Sequence, residues 1–351
     1  MNRPTRRLKI RHITRYAYDR PVSRSVHRLH LKPISDWRQT VVDHALTISQ
    51  PTTVIEYEDP FGNPAARFEL THPYAELTIA AESVVDIVDI DPFAFATVPI
   101  RPSYPLVWMP AERLMLSPYL QPEELPDTQL REIYEYAMTF VERNNRDLME
   151  TLFAINLALK RDYVYAPGST TLNTTAFDVY ASKRGVCQDL ANLFICMARL
   201  LGIPARYVCG YIHTGNAGQN RVGADASHAW VQLYIPHVGW RGFDPTNGTL
   251  PHLDHVRVGY GRHYRDTAPT SGTLYSPALE SLSVEVEVDE LLPVGKAPPG
   301  GAGAPTSAPP ASASPALRAA AEAVWGAGRK GEKAGGMATA AAGGQPVGAA
   351  G

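Results

Sequence analysis

The chain has 351 residues, a formal net charge of −2, 44% hydrophobic and 19% charged residues, enough for more than one domain and a sizeable buried core. That balance excludes bulk electrostatic attraction to nucleic acid or to an anionic membrane. Three cysteines, Cys187, Cys196 and Cys209, are too sparse for a disulfide framework, no apolar h-region follows MNRPTRRLKIRH, and no apolar run reaches bilayer length, so the expectation is a cytoplasmic protein without a membrane span.

Residues 7–90 carry strand signals. RLHL (28–31), HALTIS (44–49), ARFEL (66–70) and AELTIA (75–80) alternate apolar and polar residues, which places one face of each on a core. Turn residues separate them, most densely at Asp59-Pro60-Phe61-Gly62-Asn63-Pro64. No helical period is present, and short strands at this spacing predict an antiparallel β-sandwich over residues 1–100. The LKI of the basic RPTRRLKIRH reads as the first strand, which makes that stretch a solvated edge rather than a nucleic-acid site.

Residues 101–126 are proline-punctuated and read as a linker on the surface. Asp127 then offers a helix cap, with Leu130, Ile133, Tyr134, Ala137 and Val141 at helical spacing. DLMETLFAINLALKRDYVY predicts a second helix running into an extended segment. A third begins near Cys187 and stops at Gly202, where Pro204 prevents its resumption. Strand signals follow at ARYVCGYI, SHAWVQLYI, WRGFD and SLSVEVEV. Helices before strands, without βαβ alternation, predict an α+β core over 127–292. Residues 293–351 are Ala, Gly, Pro and Ser-rich and predict a disordered tail, because such a segment buries too little apolar surface to offset its ordering entropy.

The chemistry centres on GVCQDLAN. A helix that starts at Cys187 aims its free N–H groups and its positive dipole end at the sulfur. That setting favours the thiolate. Gly185 permits a tight entry, and Asp189 is a favourable first-turn charge. Leu190, Leu193, Phe194, Met197, Leu200 and Leu201 form the apolar face. Cys196 lies about half a turn round from Cys187 at roughly 100° per residue, and reads, like Cys209, as a small buried hydrophobe.

A nucleophilic cysteine needs a base, and the base needs an orienting acceptor. On a strand, His228 shares a face with Trp230 and Gln232, while Ala229, Val231 and Leu233 face the core. A four-residue hairpin loop would pair Val231 with Asp244, on the wrong face; a five-residue loop, 235–239, pairs Trp230 with it, and the triad reading predicts this register. Asp244 is then diagonal to His228 and within side-chain reach. Each residue alone has an ordinary explanation: a packed thiol, a hydrogen-bonded strand histidine, an Asp-Pro turn. Their combination favours the catalytic reading. No C-x-x-C or H-E-x-x-H spacing supports a metal site, His252 and His255 read as loop residues, and no phosphate or dinucleotide loop occurs, so neither metal nor cofactor is expected.

RGVCQDLANLFICMARLLGIPARYVCGYI and DASHAWVQLYIPHVGWRGFDPTNG resemble the core of the bacterial transglutaminase-like superfamily. IRHITRYAYDRPVSRSVHRLHLKP and EDPFGNPAARFELTHPYAELTI are similar to the β-rich domain that often precedes that core. The resemblance implies a papain-like α+β core with Cys187 as nucleophile, His228 as base and Asp244 as orienter. It further implies thiol-dependent acyl transfer on protein or peptide amides; hydrolysis is slightly favoured over cross-linking to an amine acceptor because nothing in the sequence marks a site that admits an amine and excludes water. The alternative is a non-catalytic binding or scaffold module that retains the fold. Trp230 and Trp240 hint at a groove beside the site.

Overall fold

The computed structural model describes residues 4–94, 101–171, 173–215 and 227–291; the tail expected at 293–351 lies outside them. The chain opens with six strands: β1 (Thr5–Val22), β2 (Ser25–Leu29), β3 (Gln39–Ile48), β4 (Ile55–Glu58), β5 (Pro64–Leu70) and β6 (Tyr74–Val88). Helix α1 (Pro110–Leu116) follows, then α2 (Asp127–Arg143), α3 (Leu148–Asp162), the short β7 (Val164–Tyr165), α4 (Ala176–Ser182), β8 (Arg184–Gly185) and α5 (Cys187–Leu200). The described residues end in strands β9 (Ala205–Ile212), β10 (His228–Ile235), β11 (Gly239–Phe243), β12 (His255–Gly261), β13 (Thr270–Leu274) and β14 (Glu280–Glu290).

Two antiparallel sheets, ordered β14-β1-β6-β3 and β13-β2-β5-β4, form the expected sandwich. Leu29, Phe68 and Leu70 from one pack on Tyr16, Tyr18, Leu77 and Ile79 from the other. The basic N-terminal stretch is not an edge. β1 runs inside its sheet, between β14 and β6. Its outward basic residues meet acidic ones across the strands, as in Arg7–Asp86, Lys9–Glu82 and Arg15–Glu285.

Residues expected to belong to the core complete this sandwich instead. β14 pairs with β1 from Leu8↔Glu290 to Tyr18↔Glu280, and β13 pairs with β2. Alternation marks SLSVEVEV as a strand but says nothing about its partner, which lies more than 260 residues away in sequence. Beyond the sandwich, the continuations of β1 and β6 place Leu8, Ile10, Val85 and Ile87 against Tyr211, Val256 and Val258. The two halves of the chain are thus joined by an apolar seam.

The remaining sheet, β11-β10-β9-β12, carries α5 against β9 and β10. Leu190, Leu193, Phe194 and Met197 are fully buried there with Phe153, Val231, Leu233 and Phe243. Gly202 ends the helix with φ +72°, a conformation that suits glycine. Asp147 caps α3 by accepting from the Glu150 N–H. Asp127 does not cap α2; Pro126 holds that position and Asp127 supplies a first-turn negative charge. The 101–126 segment is more than a linker, since Pro110 pre-sets the first turn of α1. It is tied to the core by Trp108 Nε1 donating to the Gly202 carbonyl and Arg199 to that of Gln121.

Candidate active site

Cys187 is the first residue of α5 and is buried. The N–H groups of Asp189 and Leu190 turn back to the Val186 carbonyl. The N–H groups of Cys187 and Gln188, ahead of these bonds, have no intrahelical partner. Asp189 fixes this entry. Its Oδ2 accepts from the Val186 N–H at 2.7 Å and from the Thr170 hydroxyl at 2.7 Å. Burial pushes its carboxyl above the ordinary carboxylate range. Gly185 is required because a Cβ there would stand 2.7 Å from Asp189 Cβ.

His228 begins β10 and Asp244 follows β11. The hairpin pairs Val231 with Phe243 and Tyr234 with Trp240, the register in which Trp230 lies opposite Asp244. His228 Nε2 stands 2.9 Å from Asp244 Oδ2, and both residues have zero exposure. Burial disfavours a charged His228, but the Asp244 charge and hydrogen bond, with Cys187 behind them, raise its pKa to about 10. Burial likewise works against the Asp244 carboxylate, yet His228 and His255 hold its pKa well below the usual range.

With Nε2 committed to Asp244, Nδ1 is left for the thiol. It meets no protein atom at full hydrogen-bond geometry, but Cys187 is near enough to the ring to help raise its pKa. A loose thiol–imidazole contact is common before substrate closes the site. Asp244 is itself over-determined: Oδ1 accepts from the N–H groups of Thr246 and Asn247, and Oδ2 from Asn247 Nδ2. The structure thus brings all three expected residues together.

Sequence reasoning missed His255. It is not in a loop but opens β12, with Nε2 at 3.2 Å from Asp244 Oδ2 and Nδ1 at 2.6 Å from Asp254 Oδ1. The Val256 and Val258 alternation that follows it was a usable strand signal. Trp230 is fully buried, edge-on to His255 at 5.2 Å and tilted on His228 at 5.8 Å. It packs the two imidazoles. Trp240 belongs elsewhere, in an aromatic cluster with Tyr119 and Tyr234 at the other end of β10. Cys196 and Cys209 are buried, and burial pushes both thiols up to about 12.

Ligand atoms of His228, Asp244 and His255 lie within 4.8 Å of one another. A metal needs imidazole lone pairs converging on a vacant point. Here both nitrogens converge on Oδ2 itself, at hydrogen-bond distance, so the arrangement fits a proton-bonded network rather than a coordination shell.

A thiol at a helix start, backed by a buried imidazole–carboxylate pair on an α+β sheet, defines the fold of thiol-dependent enzymes, and the chain belongs to the transglutaminase-like superfamily. Residues 134–245 match that superfamily, and residues 8–86 match the bacterial transglutaminase-like N-terminal region. An uncharacterized protein of Mycobacterium tuberculosis is 33% identical over 296 residues, covering 81% of this chain and 92% of its own length. A protein-glutamine gamma-glutamyltransferase of Pseudomonas aeruginosa is 30% identical over 121 residues, 32% of this chain and 18% of that protein. The solved structure of a candidate cysteine protease from Cytophaga hutchinsonii has a TM-score of 0.63 at 24% identity, covering 83% of this chain and 92% of that one, and shows the same fold.

Proposed function

We propose that the protein is a thiol-dependent acyl-transfer enzyme acting on protein or peptide amides, with Cys187 as nucleophile, His228 as acid and base, and Asp244 as orienter. The observation that carries this reading is the buried 2.9 Å contact between His228 Nε2 and Asp244 Oδ2 behind a helix-start cysteine. Among the described residues, all three cysteines are free. That supports action in a reducing compartment such as the cytoplasm.

The Cys187 thiolate attacks the amide carbonyl carbon, and the C=O electron pair moves onto oxygen. N–H groups at the start of α5 stabilise that oxyanion; one such donor is typically worth about 3–4 kcal/mol of barrier. His228 gives its Nδ1 proton to the leaving nitrogen, the C–N bond breaks, and a thioester remains. Water then gives a proton back to Nδ1 and attacks the thioester, releasing an acid and the thiolate. An amine acceptor in place of water gives a cross-link. Hydrolysis is the default outcome, because cross-linking needs a site that admits an amine and excludes water.

A glutamine-containing peptide library incubated with hydroxylamine tests the reading, since hydroxylamine converts an acyl-enzyme to a hydroxamate. Hydroxamate or free acid from the wild-type protein, absent with Cys187→Ala, is the expected result. Equal product from a folded Cys187→Ala protein sinks the assignment.

A further inference from the structure

Asp244 Oδ2 is shared between two imidazoles, at 2.9 Å from His228 Nε2 and 3.2 Å from His255 Nε2. The outer imidazole is held from behind by Asp254, at 2.6 Å from Nδ1. His255 therefore has a carboxylate oxygen on each ring nitrogen. A neutral imidazole carries one N–H and one lone pair. Neutral His255 would aim that lone pair at a carboxylate, in a place where water cannot screen the repulsion: His255 is 4% exposed, Asp254 8% and Asp244 not at all. An imidazolium donates to both, through charge-assisted bonds.

The surroundings agree with a cation. From β10, His228 lies 6.1 Å away between ring centroids, and Trp230 is edge-on. From the preceding loop, His252 is engaged by Asp89 at 2.9 Å. Further along β12, Arg257 is neutralised by Asp36 through two bonds. Asp254 and Asp244 hydrogen-bond to the two ring nitrogens of His255.

We infer that His255 is a positioning residue for the Asp244–His228 pair: an imidazolium clamped between Asp254 and Asp244 that fixes the carboxylate and offsets part of its charge. The functional meaning rests on the proposed role of His228; the charge state does not. Two donors on one oxygen compete for its electron density. With His255 in place, Asp244 holds the His228 proton less tightly, and that proton must reach the leaving nitrogen. Without the His255 charge, His228 becomes a weaker acid.

The test is nitrogen NMR of full-length Cys187→Ala protein carrying labelled histidine. This background removes the thiolate and any dependence on turnover. Both ring nitrogens of His255 are expected to stay protonated from pH 6 to about 9. In Cys187→Ala/His255→Gln, whose amide can still donate to Asp244, the His228 titration is expected to move up by about one pH unit. A ring nitrogen of His255 without a proton at neutral pH, or an unmoved His228 titration, overturns the inference. Should the Gln variant not fold, Asp254→Asn is read in the same spectra; His255 is then expected to titrate lower, and an unchanged value overturns the clamp. An ordinary thiol at Cys187 in the wild-type protein would instead overturn the triad reading and leave the His255 spectra as they are.

Discussion

His228 and Asp244 are 16 residues apart in sequence and 2.9 Å apart between Nε2 and Oδ2. Replacing Asp244 with Asn keeps the volume and removes the charge that makes an imidazolium favourable. The expected loss in hydroxamate formation is about 10³- to 10⁴-fold, with folding retained. Single-turnover assays beside circular dichroism check this. A folded variant within tenfold of wild type contradicts the orienting role.

Histidines at opposite ends of the titration range shape the stability. His12 and His27 are buried, and burial lowers their pKa values from 6.5 to about 4. Between those values the unfolded chain binds protons that the folded chain refuses, so stability rises with pH across that window. Each histidine contributes roughly 3 kcal/mol at most. His228 has the opposite sign. Its folded value is about 10 against 6.5, so its contribution is complete below 6.5 and is lost as pH climbs towards 10. Urea titrations from pH 4 to 10 are expected to give a maximum near neutrality. In His27→Phe the acid-side slope flattens, and in His228→Gln the alkaline-side slope does. Slopes that both variants leave unchanged would contradict this assignment.

Gly185 sets where α5 begins. In Gly185→Ala the new Cβ meets Asp189 Cβ at 2.7 Å, and Asp189 is the acceptor that holds Val186. The expected cost is about 1–3 kcal/mol from overpacking, together with slower alkylation of the displaced Cys187. Thermal denaturation and mass spectrometry read the two effects. A normal melting temperature would mean that the helix start relaxes freely.

The C-terminal strand belongs to the N-terminal sheet. A chain cut before Glu280 loses the whole β1–β14 ladder, and Val286 with it from the seam beside Leu8 and Ile10. Unpaired β1 then presents a long free edge next to exposed apolar side chains. Aggregation or loss of cooperative unfolding is expected in light scattering and melting curves. A soluble, cooperatively folding fragment would show that the seam holds without β14.

Much of this was legible where the signal is local. The apolar spacing of Leu190, Leu193, Phe194 and Met197 defines α5, because a helix repeats every few residues. The hairpin register was not fixed by counting alone: a four-residue loop would have put Asp244 on the wrong face, and only the triad reading selected the register that the observed Val231–Phe243 pairing extends to Trp230 opposite Asp244. What escaped depends on distant partners. Val286 alternates as clearly as any strand residue, but nothing nearby in sequence says that it lies beside β1. His255 was read as a loop residue although Val256 and Val258 alternate after it; its role at the site is set by Asp244 and Asp254, and that shared hydrogen bond leaves no periodic trace. The prolines of 101–126 suggested a linker, yet Pro110 starts a helix, where a missing N–H costs nothing.

The pH dependence of iodoacetamide alkylation at each cysteine, in wild type and His228→Gln, tests the central claim most directly. Cys196 and Cys209 are buried and pushed up to about 12, so neither should react in the native fold. Cys187 alone is expected to react fast below pH 7, and to lose that behaviour without His228. A Cys187 that stays inert, or that titrates like an ordinary thiol near pH ~8.5 with or without His228, would contradict the thiolate–imidazolium pair.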